Sequence, residues 1–154
     1  MKNYMGFKLI KAEPMTRGEY NKFRGWQIPA DECPDDAGYK VVYSDDYVSW
    51  SPADVFEKAY MEVTGNDALK SKVSISQQMV DDFIKGVKIQ TIGDKTTLVH
   101  VTLANGFTIT EASSCVDPEN YSVEIGAEIC MERIKNKVWE LLGFLLQTAV
   151  NGVK

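Results

Sequence analysis

Few residues of this 154-residue chain have the types and spacing that catalysis requires. The single histidine, His100, lies in the middle of a predicted strand, where a paired side chain is a commoner role than a general base. The acidic pairs Asp45-Asp46 and Asp81-Asp82 are adjacent in sequence, so their side chains diverge and form no carboxylate dyad. No phosphate-binding glycine loop, nucleophile elbow or zinc motif is present. We therefore expect a protein that is not an enzyme and has no metal or cofactor.

Aromatic residues at the ends of predicted elements could instead bind a ligand. Trp26 follows Gly25, and Trp50 precedes the predicted helix start at Ser51-Pro52. An indole in such a place can stack on a purine, and the amides of a helix N-terminus can bind phosphate. The alternative interpretation is that both tryptophans close the core of a small domain.

Basic and polar residues in the C-terminal part are further candidates. Arg133 and Lys137 are i,i+4 neighbours on a predicted helix and could clamp a diphosphate, or form salt bridges on a solvated face. Asn105, Phe107 and Asn120 lie at predicted turns beside that helix. A hairpin turn, a core ring and a first-turn helix residue would also account for these three.

Composition excludes several classes of protein. The net charge of −5 and the pI of about 4.9 argue against binding to DNA. Cys33, Cys115 and Cys130 are an odd number without CxxC spacing, which fits small core thiols in a reducing cytoplasm. No apolar run reaches the roughly 18 residues of a membrane span. The apolar run at the N-terminus is also too short for a secretory signal. We expect a cytoplasmic protein without membrane contact.

The C-terminal half contains the strongest structural patterns. Asn105-Gly106 predicts a type I′ hairpin that pairs Thr102 with Ile109 and Leu103 with Thr108. The two predicted faces of this sheet carry Leu98, Phe107 and Ile109 on one side, and Val99, Val101 and Leu103 on the other. Each face is about half apolar, which suits a sheet covered on both sides, or on its second side by another subunit.

A long helix is predicted to follow, with Asp117 as its N-cap and Pro118 at its first position. The predicted apolar stripe consists of Val123, Ala127, Cys130, Ile134, Val138, Leu141 and Leu145. A helix of roughly 28 residues is about 42 Å long, which exceeds the diameter of a small domain. We therefore expect part of the stripe to pack on a partner chain in a homo-oligomer.

The N-terminal half begins with a predicted strand over residues 7–11. Thr16 and Glu19 have capping-box spacing, which predicts a helix through about Phe23 that Gly25 ends. An acidic loop and a hairpin across residues 44–46 follow. A second helix is predicted with Ser51 as its cap, Pro52 at N1 and Asp54 at N3.

A polar linker over residues 64–72 is predicted to separate the two halves. Beyond it, Ser74 and Gln77 have capping-box spacing for a short helix ending at Gly86, and strands over 87–92 and 96–103 precede the Asn-Gly turn. The prediction is an α+β protein with two modules, residues 1–63 and 73–154. The second is an antiparallel meander packed on a long C-terminal helix.

The C-terminal half resembles a module of small proteins from tailed phages and prophages. The similarity rests on the run LANGFTITEASSCVDPENYSVEIGAEICMERIKNKVWELLGFLL, whose Cys115, Asn120, Gly126 and Trp139 fit the family pattern. Ala112-Ser113 departs from the Gly-Glu-Ser type of sequence that is typical there. The resemblance covers residues 73–146 and implies a phage origin.

The N-terminal half is similar to a second phage module, that of the Thoeris anti-defence sponges. The shared elements are Gly25-Trp26 and the helix start Trp50-Ser51-Pro52-Ala53-Asp54. That family binds cyclic ADP-ribose-type immune signals without cleaving them. The resemblance implies nucleotide contacts by Trp26, Trp50 and Asp54.

Three hypotheses for function follow. The first is a phage anti-defence protein that sequesters a host cyclic nucleotide signal, of the cyclic ADP-ribose type or a cyclic oligonucleotide, in an oligomer with the pocket between subunits. The second is an adaptor that binds and inhibits a host protein. The third, a nuclease or phosphodiesterase acting on the signal, ranks last because the sequence shows no metal or acid–base cluster.

Overall fold

The computed structural model describes all 154 residues and has α+β architecture, as predicted. It contains two three-stranded antiparallel sheets, four α-helices and one 3-10 turn. The chain divides into two compact units. The first comprises Met1–Glu62 with Thr148–Lys154, and the second comprises Val63–Gln147. None of the helices combines the length and the apolar character that a membrane span requires.

The sheet of the first unit has a helix on each face. Its elements are β1 (Lys11–Pro14), α1 (Arg17–Arg24), β2 (Gly38–Val42), β3 (Val48–Pro52) and α2 (Ala53–Ala59), with strand order β1-β2-β3. Lys40 on β2 lies over the ring of Phe23 on α1, while its neighbour Tyr39 stacks on Phe56 of α2. Because consecutive strand residues point to opposite faces, α1 and α2 cover different sides of the sheet.

Helix α1 forms as its sequence predicts. Thr16 accepts a hydrogen bond from the Glu19 amide, the Glu19 side chain accepts one from the Thr16 amide, and Gly25 ends the helix at φ +69°. A positive φ carries little penalty only for glycine, so the stop at this position is encoded locally.

Two predictions in this unit were wrong by a few residues. The first strand is not residues 7–11 but β1, Lys11–Pro14. Its last residue is a proline, which an edge strand accommodates because one side of it has no neighbouring strand to receive an amide hydrogen bond. Ser51 does not cap α2, because it is paired with Tyr39 in the β2–β3 ladder; Pro52 occupies the N-cap position without a side-chain hydrogen bond.

The second unit is a meander with a long helix. Its elements are α3 (Gln77–Phe83), β4 (Ile84–Ile92), β5 (Thr96–Leu103), β6 (Thr108–Ser114), the 3-10 turn Pro118–Asn120 and α4 (Val123–Asn151), with strand order β4-β5-β6. The last residues of α4, from Thr148 onward, belong to the first unit.

Three predicted helix ends in this unit need correction. Ser76 rather than Ser74 caps α3, since its hydroxyl accepts from the Met79 amide at 3.2 Å. The α3 helix ends at Phe83 rather than at Gly86, because Ile84 already pairs in β4. Asp117 caps only the 3-10 turn, and α4 begins beyond it.

The Asn-Gly hairpin has a different register from the predicted one. Thr102 pairs with Thr108 and Val101 pairs with Ile109, one residue away from the predicted partners. Gly106 alone has a positive φ in this turn, at +84°, so the loop is a three-residue connection instead of a type I′ turn. The shift places Ile109 on the face of Val99 and Val101 rather than on that of Leu98.

Helix α4 packs on this one apolar face of the second sheet. The buried cluster consists of Met79, Val80, Val99, Val101, Leu103, Ile109, Cys130, Ile134, Val138 and Leu142. Leu142, rather than the predicted Leu141, is buried in the last turns of the stripe. The helix has 29 residues, and thus a length of about 44 Å. Packing of its remaining apolar side chains on a second copy stays a prediction.

Candidate functional site

Trp50 is held on several sides within the first unit. Its indole Nε1 donates to the Met15 carbonyl at 2.8 Å, and the Arg17 guanidinium carbon lies 5.1 Å from the ring centroid. A β-carbon on Gly38 would lie 2.3 Å from the ring, so the indole rests directly on backbone. A ligand that stacked on the Arg17 side of Trp50 would have to displace that guanidinium. These contacts fit the alternative interpretation, in which Trp50 closes the core.

Trp26 is placed quite differently. It follows the left-handed Gly25, its amide donates to the Asn21 carbonyl at 2.9 Å, and its side chain is 50% exposed. The Tyr20 ring meets the indole edge-on at 6.1 Å, and the Arg24 guanidinium carbon lies 4.8 Å from the ring centroid. An indole that is anchored by its backbone and half exposed can still accept a stacking partner, although a partner on the Arg24 side would have to displace that guanidinium.

The two cation–indole pairs lie on one side of α1. Arg17 and Arg24 are seven residues apart, which is two helical turns and about 10.5 Å along the axis. We call Arg17, Tyr20, Arg24, Trp26 and Trp50 the aromatic-cationic face of α1. Residues of this kind suit a ligand that combines a flat ring with negative charge.

Asp54 does not join this face. It is exposed in the first turn of α2, which packs on the opposite side of the sheet from the Trp50 indole. The three residues that the Thoeris resemblance implies as nucleotide contacts therefore do not converge within one copy of the first unit.

A cluster that the sequence did not suggest lies next to Trp50. Arg17 donates through Nε and Nη2 to both carboxylate oxygens of Glu32, at 2.8 and 2.6 Å. The Nδ2 amide of Asn21, a residue only 1% exposed, donates to the same carboxylate at 3.0 Å. These hydrogen bonds, first from Arg17 and then from Asn21, lower the pKa of Glu32 from 4.5 to about 2. The one trace of this cluster in the sequence is Asn21, a polar residue on the inner side of α1 that precedes an acidic loop.

The predicted diphosphate clamp on α4 is already occupied by protein groups. Arg133 Nη1 donates to the Ala112 carbonyl at 3.1 Å, and Lys137 forms a salt bridge with Glu111 on β6. These contacts fit the alternative interpretation of the pair as partners of nearby groups. Phe107 lies at the hairpin tip and is 56% exposed.

An open pocket of about 100 Å³ lies at the start of α4 in the second unit. Its wall is rich in hydroxyl groups and comprises Lys95, Thr97, Ser113, Ser114, Cys115, Asn120, Tyr121, Ser122, Ile125, Gly126 and Ile129. Asn120 is the one predicted site residue that lines it.

Several polar groups of this pocket have protein partners. The Tyr121 hydroxyl contacts those of Thr91 and Thr97 at 2.7 and 3.2 Å, and the Cys115 thiol donates to the Asp117 carbonyl at 3.1 Å. Ser122 accepts from the Ile125 amide at 3.2 Å, which caps the start of α4. The pocket is therefore a second, polar candidate region, built by the segment between β6 and α4.

No group of three or more His, Cys, Asp or Glu side chains is placed to hold a metal ion. The single histidine has a partner within the sheet, since His100 Nδ1 lies 2.7 Å from the Thr110 hydroxyl on β6. Its predicted role as a paired strand residue agrees with this contact.

Comparison with known proteins adds information about the C-terminal part. Residues 75–150 match the model of a phage protein family, described as the N4 Gp49/phage Sf6 gene 66 family. The chain therefore carries a module similar to this family of phage proteins, which agrees with the resemblance inferred from the motifs. No protein of curated function and no solved structure matches the chain. The resemblance of the N-terminal half to the Thoeris anti-defence sponges stays a prediction.

Proposed function

We propose that this phage-type protein binds a host cyclic nucleotide signal and sequesters it without cleaving it. The observation that carries the proposal is the half-exposed indole of Trp26 with the Arg24 guanidinium 4.8 Å from its ring centroid. Stacking of a base on an aromatic side chain is worth about 1–3 kcal/mol. The Arg24 guanidinium lies over the ring in the free protein, and a base that displaces it from that face leaves it free to form charge-assisted hydrogen bonds to a phosphate.

The phage module and the non-catalytic composition support the same function. A protein that sequesters a signal needs tight binding and no turnover, and its affinity depends on a site that is ordered before the ligand arrives. The backbone anchor of Trp26 to Asn21 and its edge-on contact with Tyr20 supply such order. In this proposal Trp26 receives the base, while the partly buried Trp50 supports the Arg17 end of the site.

Calorimetry with the purified chain tests the proposal. The ligands are cyclic ADP-ribose isomers and cyclic di- and trinucleotides, with ADP-ribose and NAD as controls. We expect one cyclic species to bind and to be recovered intact after denaturation of the protein. Trp26→Ala should weaken that binding by about 5- to 150-fold, the equivalent of one stacked base.

The matched control is Tyr47→Ala, which removes another largely exposed aromatic ring from the same unit. This variant should bind the signal as the wild type does. Equal affinity of folded Trp26→Ala and wild-type protein would exclude Trp26 as the stacking residue. Arg133→Glu tests separately whether the α4 surface contributes a second phosphate site.

An adaptor that binds a host protein is the second candidate. Phe23, Trp26 and Ile28 are large apolar residues near the end of α1, and each is about half exposed. Exposed apolar side chains that cluster in this way are typical of protein interfaces. Capture of one stoichiometric host protein by the wild type, with no nucleotide retained, would favour this function over sequestration.

A further inference from the structure

Three hydrogen-bond donors in the first unit converge on one carboxylate. Arg17 offers Nε and Nη2 side by side, and Asn21 Nδ2 completes the set, all within 3.0 Å of the Glu32 oxygens. A guanidinium that binds two oxygens of one group, with an amide beside it, is a donor arrangement that suits phosphate as well as carboxylate.

The donors are fixed by the fold and not by Glu32. Asn21 lies one helical turn after Arg17 on α1 and is almost fully buried. The Arg17 guanidinium lies over the Trp50 indole, which is itself bound to the Met15 carbonyl. Without an acceptor, the Asn21 amide would be a buried donor without a partner, which is costly. Arg17 and Asn21 therefore still favour the binding of an anion with oxygen acceptors when the Glu32 carboxylate is absent.

The acceptor, in contrast, comes from an irregular loop. Glu32 lies between α1 and β2, and its side chain is 27% exposed. The loop backbone is held independently, because the Gly18 amide donates to the Pro34 carbonyl and the Arg17 amide donates to the Asp36 carbonyl, both at 2.9 Å. A change of the Glu32 side-chain rotamer alone can therefore vacate the donors while the loop stays in place.

We infer that Arg17 and Asn21 form an anion-binding site that Glu32 occupies in the free protein, and that a phosphate group of the ligand replaces the Glu32 carboxylate. The inference rests on the proposed function, and it assigns the phosphate of the signal to this position. Arg17 and Arg24 lie about 10.5 Å apart along α1, so a base on Trp26 and a phosphate at Arg17 are within the span of one nucleotide diphosphate. Glu32 then acts as an intramolecular competitor that sets the affinity.

Inorganic pyrophosphate is the probe that tests the site without a base. Its affinity for the full chain is measured by calorimetry for wild type, Glu32→Ala and Asp35→Asn. Asp35→Asn is the matched control, because it removes one negative charge from the same loop. We expect Glu32→Ala to bind pyrophosphate at least tenfold more tightly than wild type, and Asp35→Asn to change the affinity less than threefold. Adding Arg17→Lys to Glu32→Ala should abolish the gain, since lysine cannot bind two oxygens in parallel.

If folded Glu32→Ala binds pyrophosphate no more tightly than Asp35→Asn does, the inference is overturned. Glu32 then has only a structural role, as the partner of Arg17 and Asn21. If Glu32→Ala fails to fold, the Asn21 side-chain amide signals of the wild type decide, by nuclear magnetic resonance at saturating pyrophosphate. A shift of these signals supports the site, and unchanged signals overturn it.

The failure of the proposed function would look different from the failure of this inference. A pyrophosphate gain in Glu32→Ala without binding of any cyclic nucleotide would keep the anion site and exclude sequestration. Cyclic nucleotide binding that depends on Trp26 but is indifferent to Glu32→Ala would keep sequestration and exclude the anion site.

Discussion

Gly126 and Thr97 approach each other more closely than any residue with a β-carbon would allow. A β-carbon on Gly126 would lie 2.2 Å from the Thr97 Oγ1 and 2.6 Å from its Cβ. Both residues are buried, and one turn further along α4 the Cys130 thiol lies 3.8 Å from the Thr97 carbonyl. The helix therefore rests on the Thr97 side chain of β5 at this point, beside the hydroxyl-rich pocket.

This contact predicts opposite effects for two glycine substitutions in α4. Gly126→Ala should lower the free energy of unfolding by about 1–3 kcal/mol, because the Cβ of Thr97 is attached to a strand that is paired on both sides and cannot move aside. Gly143→Ala, at a position with open space around it, should raise that free energy by about 0.5–1 kcal/mol through helix propensity. Urea denaturation of both variants measures the difference. A stabilised Gly126→Ala protein would contradict the close approach.

The two tryptophans of the first unit should differ in their contribution to stability. Trp50→Ala removes the ring on which Arg17 lies and leaves the Met15 carbonyl without its donor, so a loss of about 2–4 kcal/mol is expected. Trp26→Ala should cost less than about 1 kcal/mol, because half of that side chain already faces solvent.

Thermal denaturation of the two variants, followed by circular dichroism, measures this difference. The comparison also decides how binding data are interpreted. A ligand-binding defect in Trp26→Ala can be assigned to a lost contact, whereas the same defect in Trp50→Ala reflects an altered core. Similar stability losses in both variants would contradict the placement of the two rings.

Locally encoded elements were predictable from the sequence. The capping box of Thr16 and Glu19 and the stop at Gly25 lie within ten residues, and the observed α1 agrees with them. The strand predicted over 96–103 is also observed, because alternation and flanking turn residues define it without reference to distant parts. Periodicity likewise predicted that Cys130, Ile134 and Val138 line the buried side of α4.

Features that depend on long-range contacts were missed. Asn105-Gly106 accepts both a two-residue and a three-residue loop, and the choice between them requires knowing which face α4 covers. The Arg17–Glu32 pair joins residues separated by 15 positions, and an acidic loop gives no sign of which carboxylate turns inward. The salt bridge between Lys137 and Glu111 likewise joins two elements, so the i,i+4 spacing that suggested a phosphate clamp could not reveal it.

The hairpin register has a direct test in the second unit. The sequence placed Phe107 and Ile109 on one face, whereas the structure leaves Phe107 at the tip and buries Ile109 opposite Val101. Ile109→Ala should therefore cost about 2–4 kcal/mol of unfolding free energy, and Phe107→Ala less than about 1 kcal/mol. Urea denaturation distinguishes the two registers. In the type I′ register both side chains would lie on the same face of the sheet, so the two variants would lose comparable amounts of unfolding free energy.

The low pKa of Glu32 predicts how acid affects the first unit. The hydrogen bonds from Arg17 and Asn21 lower this pKa from 4.5 to about 2 in the folded state, so the unfolded chain binds the proton more tightly. The stabilising contribution of Glu32 is therefore complete above about pH 4.5 and is lost as the pH falls towards 2. Glu32→Gln, which has no carboxylate to protonate, should be less stable than wild type at pH 7, and the difference should shrink across this window.

Thermal denaturation between pH 7 and pH 2 measures the effect. Each variant also carries Trp139→Phe, so that tryptophan fluorescence reports the unit that contains Trp26 and Trp50. Asp35→Asn is the control for a lost negative charge on the same loop, and its difference from wild type should not follow the profile of Glu32→Gln. Parallel pH profiles of Glu32→Gln and wild type would mean that the Glu32 carboxylate is not bound by Arg17 in solution. That result would also contradict the proposed competition between Glu32 and phosphate. The low pKa of Glu32 and this competition depend on the same three donors, which belong to Arg17 and Asn21.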